Sequence, residues 1–101
     1  MSVTLCVMLW AAPDREQQLA EYEDRVLRRL ARYGAQLLSR VSSLEGGPTE
    51  VQVLEFPSEG ALEDFQRDPE RLALAGLRAA SIARTEILRV TVVHTDHRSL
   101  P

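Results

Sequence analysis

The sequence contains no lysine, all twelve of its basic residues being arginine, and this excludes catalysis through a lysine Schiff base. Cysteine is almost absent as well. Cys6 stands alone inside an apolar run, so neither an internal disulfide nor a cysteine-based zinc centre can form within the chain, and a reducing, cytoplasmic setting suits it. Positive charge is in deficit, twelve basic against fifteen acidic residues leaving a net charge of −3. That sign opposes nucleic acid, whose phosphates require clustered cations to displace their counterions, so none is expected as a partner. Long hydrophobic runs are missing too. The apolar start, Val3 to Trp10, has no basic segment before it and is broken by Ala11-Ala12-Pro13-Asp14. It is too short for a membrane span or for the core of a leader with its flanks, and reads as a strand. No glycine-rich loop leads from a strand into a helix, since Gly46-Gly47 fall between two strands, and Ser39, Ser42 and Ser43 have no nucleophile-elbow context.

What is present is an ordinary globular balance, 45% apolar and 27% charged, in 101 residues. This is enough for one core and too little for two. We expect a single domain over residues 1–94, followed by a polar tail over 95–101.

Val3 to Trp10 is apolar on both alternating sets, as a central strand covered on both faces would be. Asp14, with Gln17 three residues on, is the expected N-cap of a helix whose apolar stripe is Leu19, Tyr22, Val26, Leu30 and Tyr33, widened by Leu27. Arg25, Arg28, Arg29 and Arg32 are placed toward water, where they complement the negative end of the helix dipole, and Gly34 supplies the left-handed stop. Ala35–Leu44 and Thr49–Phe56 read as antiparallel strands joined through Glu45-Gly46-Gly47-Pro48. A second helical stretch begins near Leu62 and Phe65 and restarts at Asp68-Pro69, with Asp68 as N-cap and Pro69 at the first helical position. Leu72, Leu74, Leu77, Ala80 and Ile82 fall on its core side, and Glu86–Val93 reads as the last strand.

The order is βαββαβ, that of an α+β ferredoxin-like domain with a four-stranded antiparallel sheet and helices on one face. The other face would be bare, yet neither face of the first strand is polar enough for water. A second copy of the chain, packed sheet to sheet, is the natural cover, and a lipid or ligand is the alternative.

Tyr33-Gly34-Ala35 with Leu37-Leu38-Ser39-Arg40, then Val53-Leu54-Glu55-Phe56-Pro57-Ser58, then Phe65 with Asp68-Pro69-Glu70 resemble a small family of unknown function among the dimeric α+β barrels. That family is similar in fold to cofactor-independent monooxygenases of antibiotic biosynthesis, muconolactone isomerases and plant polyketide cyclases. The resemblance runs from Val3 to Val93 and departs at Ala35 and Val41, where the family carries glycine. It implies a homodimer joined through its sheet faces and no cofactor, and it does not transfer a mechanism.

If the hairpin turns about Gly47-Pro48, Arg40 and Glu55 stand opposite each other on one face. Arg40 would then hold an enolate-like charge with Glu55 as base, or the two would form a structural ion pair that fixes register. Trp10 and Tyr22 either wall a pocket between sheet and helices or fill the core. Cys6 has no basic neighbour in sequence and reads as inert core. His94, Asp96 and His97 are too few and too near the end for a metal centre, while His94, just after the last strand, is a candidate base. Two functions follow. One is a cofactor-free isomerase, cyclase or monooxygenase of secondary metabolism acting on an aromatic or polyketide-like molecule, with Arg40, Glu55 or His94 in catalysis and Trp10 and Tyr22 at the substrate. The other is a non-catalytic homodimer that binds a small apolar molecule or serves as an accessory subunit.

Overall fold

The computed structural model describes residues 1–93. His94, Asp96, His97 and the 95–101 tail lie outside them. The strands are β1 (Val3–Ala11), β2 (Gln36–Ser42), β3 (Glu50–Phe56) and β4 (Ile82–Arg89), and the helices are α1 (Glu16–Leu27), α2 (Glu59–Gln66), α3 (Pro69–Ala73) and α4 (Ala75–Ser81). A 3₁₀ turn, Leu30–Tyr33, follows α1. The strands form one sheet in the order β2-β3-β1-β4, with all neighbours antiparallel. This is the ferredoxin-like arrangement that the order of elements implies.

Alternation along β1 sorts its two faces. Val3, Leu5, Val7 and Leu9 are buried under the helices together with Leu54 and Phe56 of β3. Thr4, Cys6, Met8 and Trp10 remain half-buried on the open face. Leu19, Tyr22 and Val26 of α1, with Leu62 and Phe65 of α2, close the core from above. Phe65 sits between two rings, its centroid 5.4 Å from that of Phe56 and 6.0 Å from that of Tyr33. Cys6 belongs to the open face and not to the core, because its parity on β1 is that of Met8 and Trp10.

Several boundaries differ from the sequence expectations. Asp14 does not cap α1. It adopts a left-handed conformation (φ 63°), and Arg15 takes the cap position without a side-chain bond. The first helix ends at Leu27, and the chain tightens into the 3₁₀ turn before Gly34 (φ 69°), whose left-handed geometry stands as expected. β4 begins at Ile82 and not at Glu86, because Ala12 N–H donates to Ser81 C=O and a bulge at Trp10/Ala11 brings Ala11 level with Ile82. Leu72 and Ala80 are exposed, since the break between α3 and α4 rotates them off the core. Ser58 caps α2, its Oγ accepting from Ala61 N–H at 3.0 Å.

Arg29 does not face water. Its Nε and Nη2 each donate to Asp68 at 3.1 Å, Tyr33 O–H donates to the same carboxylate, and Arg71 N–H adds a bond of 3.0 Å as Asp68 caps α3. The Asp68 side chain is fully buried. The Arg29 guanidinium, followed by the Tyr33 and backbone donors, holds its carboxyl well below the usual aspartate range. A depressed native pKa means that the unfolded chain binds the proton more readily. The stability that Asp68 contributes is therefore complete above about pH 4 and declines as pH falls toward its native value. We expect Asp68→Ala to destabilise the fold by about 3 kcal/mol at pH 7, through loss of a buried ion pair and a cap. In urea titrations the gap from wild type should narrow as pH falls below 4, and a gap independent of pH would refute this account.

Candidate active site

β3 carries four consecutive inward positions under the helices, Glu50, Gln52, Leu54 and Phe56, all buried. Strand parity thus places two polar groups beside two apolar ones. The polar pair is satisfied by a network that runs to the surface. Arg40 of β2 grips Glu50 with two bonds, Nε to Oε2 at 2.8 Å and Nη2 to Oε1 at 3.1 Å. Its Nη1 donates to Asp24 at 2.6 Å and its Nη2 to Ala20 C=O at 3.3 Å. Gln52 Nε2 then donates to Glu50 Oε2 at 2.6 Å and to Glu23 Oε1 at 2.7 Å.

Glu23 of α1 is the inner end of this network. Burial pushes its carboxyl above the usual glutamate range, the Gln52 bond opposes that, and the neighbouring Glu50 charge adds to it. Glu23 and Gln52 line a chamber of about 80 Å³ between sheet and helices, whose apolar wall includes Leu5, Leu54, Phe56 and Phe65. Tyr22, Arg71, Arg78 and Thr85 supply the rest of its polar lining, and its mouth lies where Gln66, Arg78 and Ile87 are exposed. Desolvation raises the Tyr22 phenol above its usual pKa, so it stays a neutral O–H donor. The chamber thus combines an acid, a phenol and two guanidinium groups within apolar walls, the composition expected of a small-molecule site.

The structure separates Arg40 from Glu55. Arg40 faces Gln52, and Glu55 faces Gln36 on one side and Thr4 on the other. The hairpin register is centred near Gly46, with Gly46 and Gly47 both at positive φ (87° and 76°), and Leu38 is bulged out of the ladder. The register is thereby three residues away from the expected one, an odd number, so Arg40 points beneath the helices and Glu55 to the open face. Tyr22 belongs to the core and also lines the chamber. Trp10 does not share that wall, since its parity puts it on the open face, where the Arg84 guanidinium lies 4.4 Å from its ring centroid. His94 is outside the described residues. Among those residues, no group of three or more histidine, cysteine or acidic side chains is placed to hold a metal.

Sequence reasoning passed over Glu23, Gln52, Arg71, Arg78 and Thr85. The available signal was in β3, where Glu50 and Gln52 share the parity of Leu54 and Phe56, and in Glu23, which adjoins Tyr22 on the inward stripe.

Fold and chamber together define a ferredoxin-like α+β protein with a cavity between sheet and helices. Residues 7–93 match the family model described as Domain of unknown function (DUF1330), and the chain belongs to that family. No curated protein matches it. Among solved structures it is similar to PA3566 from Pseudomonas aeruginosa (TM-score 0.77, 15% identity, covering 92% of this chain and 95% of that one). It is also similar to a variant of SnoaB, a cofactor-independent oxygenase from Streptomyces nogalater (TM-score 0.70, 18% identity, 93% and 95% covered). A third is a dabb family protein with a ferredoxin-like fold from Mesorhizobium loti (TM-score 0.67, 10% identity, 92% and 98% covered). At these identities the likeness is one of fold.

A carboxyl whose native pKa is raised binds its proton more tightly folded than unfolded, so it costs stability as pH rises through that value. Glu23→Gln removes this cost and keeps an acceptor for Gln52. The variant should melt above wild type at pH 7.5, and this advantage should shrink toward pH 4. A lower melting temperature at pH 7.5 would show the carboxylate to be structural.

Proposed function

We propose that the chain is a cofactor-independent enzyme that moves a proton on a small enolisable or aromatic compound held in the chamber, with Glu23 as the acid–base group. The observation that carries this reading is a buried carboxyl of raised pKa that opens onto an apolar cavity beside a neutral phenol. Glu23 accepts the proton from carbon next to a carbonyl, and Tyr22 O–H donates to the oxygen on which charge develops. Arg40 positions the acid at one remove, by holding Glu50, which with Glu23 shares the Gln52 amide. The chamber is well below the roughly 300–1,000 Å³ of sites for drug-sized ligands, which favours a compact substrate over a polycyclic one. The fold shared with a cofactor-independent oxygenase supports chemistry without a resident cofactor, and a role in secondary metabolism is consistent with it.

Deuterium exchange at the α-carbon of 1,3-dicarbonyl compounds and aryl ketones, followed by NMR, tests this without knowledge of the natural substrate. Wild type should accelerate exchange, and Glu23→Gln should lose about 10²-fold or more of that rate. Exchange at the uncatalysed rate with every probe would overturn the enzymatic reading and leave binding without turnover.

The same proposal includes a homodimer joined through the open sheet face, where Cys6, Met8, Val51, Val53 and Leu88 form an apolar surface across three strands. Light scattering should give twice the 11.3 kDa chain mass. Val53→Glu should give the monomer, and a wild-type monomer would refute the dimer.

A further inference from the structure

We propose that the ligand of the chamber carries a carboxylate, anchored by Arg71 and Arg78. This rests on the reading of the chamber as the ligand site and names the class of molecule it takes. Two guanidinium groups line the chamber against a single carboxyl, Glu23, which is already bonded to Gln52. The lining therefore has an excess of positive charge that the described protein groups do not neutralise. Arg29, Arg40, Arg67, Arg84 and Arg89 all have carboxylate partners. Among the described residues Arg71 and Arg78 have none; Arg15, Arg25, Arg28 and Arg32 also have none, but these four are exposed and lie outside the chamber lining.

Their existing contacts leave donors free. Arg71 donates through Nη1 to Gln66 C=O at 3.1 Å, and its Cζ lies 5.4 Å from the Phe65 ring centroid. Its Nε–H is buried without any acceptor. Stacking on Phe65 satisfies the face of the guanidinium and leaves that in-plane donor unmet, and an unmet buried donor is costly. Arg78 makes one long bond, Nη2 to Thr85 Oγ1 at 3.4 Å, faces the Tyr22 phenol, and stands at the mouth. A carboxylate between them would accept from the Arg71 Nε–H and from Arg78 through charge-assisted bonds. The body of the molecule would then lie against Leu5, Leu54 and Phe65. A phosphate would satisfy the same donors but adds charge and bulk that a chamber of about 80 Å³ disfavours.

The test compares isobutyrate and benzoate with their primary amides, which match them in shape and lack the charge, by titration against the methyl NMR signals of Leu5, Val7 and Leu54 at pH 7.5. We expect the acids to bind about tenfold or more tightly than the amides, as bonds to a charged acceptor require. Arg78→Met, at an exposed position, should reduce this preference to about threefold or less, and Arg71→Gln should do the same independently. Acids and amides that bind equally well would overturn the carboxylate proposal and leave the chamber a ligand site. Probes that shift no chamber methyl signal would overturn both. A preference for inorganic phosphate over the acids would replace the proposed class with a phosphate-bearing one.

Discussion

Glu50 and Gln52 must enter the space under the helices because Leu54 and Phe56 do. The period of a strand allows no other choice, and the rest of the interior follows from how those two polar side chains are satisfied. Arg40 reaches from the neighbouring strand to neutralise Glu50, and Gln52 passes the connection on to Glu23. A purely apolar β3 would let α1 close fully onto the sheet. Here one end of the interface is a polar network and the other is packed Phe56 and Phe65. The chamber lies between, bounded by both.

The chain treats two of its buried acids, Asp68 and Glu23, in opposite ways. Asp68 receives four bonds, two of them from a cation, and its carboxyl is held ionised. Glu23 receives one bond from a neutral amide and lies near a second carboxylate, so burial prevails and its pKa rises. The first arrangement stabilises charge and fastens the start of α3 to the end of the first helical segment. The second keeps charge expensive, which is of little use to a fold and of direct use to proton transfer. A carboxyl desolvated beside a cavity, where its charge is costly, is the pattern expected where function has overridden stability.

How much of this could be read from sequence depended on the range of the interaction concerned. The element order, the two-sided apolar character of β1, the Gly34 stop and the Asp68-Pro69 helix start were legible because each is decided within a few residues. The Arg40–Glu55 pairing was not, because it required the hairpin register. That register was set at the turn, where Gly46 and Gly47 are both at positive φ, which the hydrophobic pattern does not encode; the bulge at Leu38 lies beyond Arg40 and shifts only the far end of the pairing. With the observed register, strand parity places Glu55 on the open face. The chamber was harder to see, since Tyr22 and Glu23 come from α1, Gln52 from β3, Arg71 from α3, Arg78 from α4 and Thr85 from β4. No linear spacing connects them.

The two faces of the sheet then divide the work. Residues of one parity on β1 line the chamber, and those of the other parity form the open surface with Trp10 and Arg84 at its edge. A partner on the open face would meet Cys6, Met8 and Val53 without touching Tyr22 or Glu23, so association and ligand binding would not compete for the same side chains. They would still be coupled, because both depend on the register of β1 with β3 and β4. A shift of one residue in that register would expose the apolar core and bury the open face in a single step, inverting both surfaces together. The backbone pairing that fixes the fold is therefore also what keeps Gln52, the partner of Glu23, inside and the apolar open face outside.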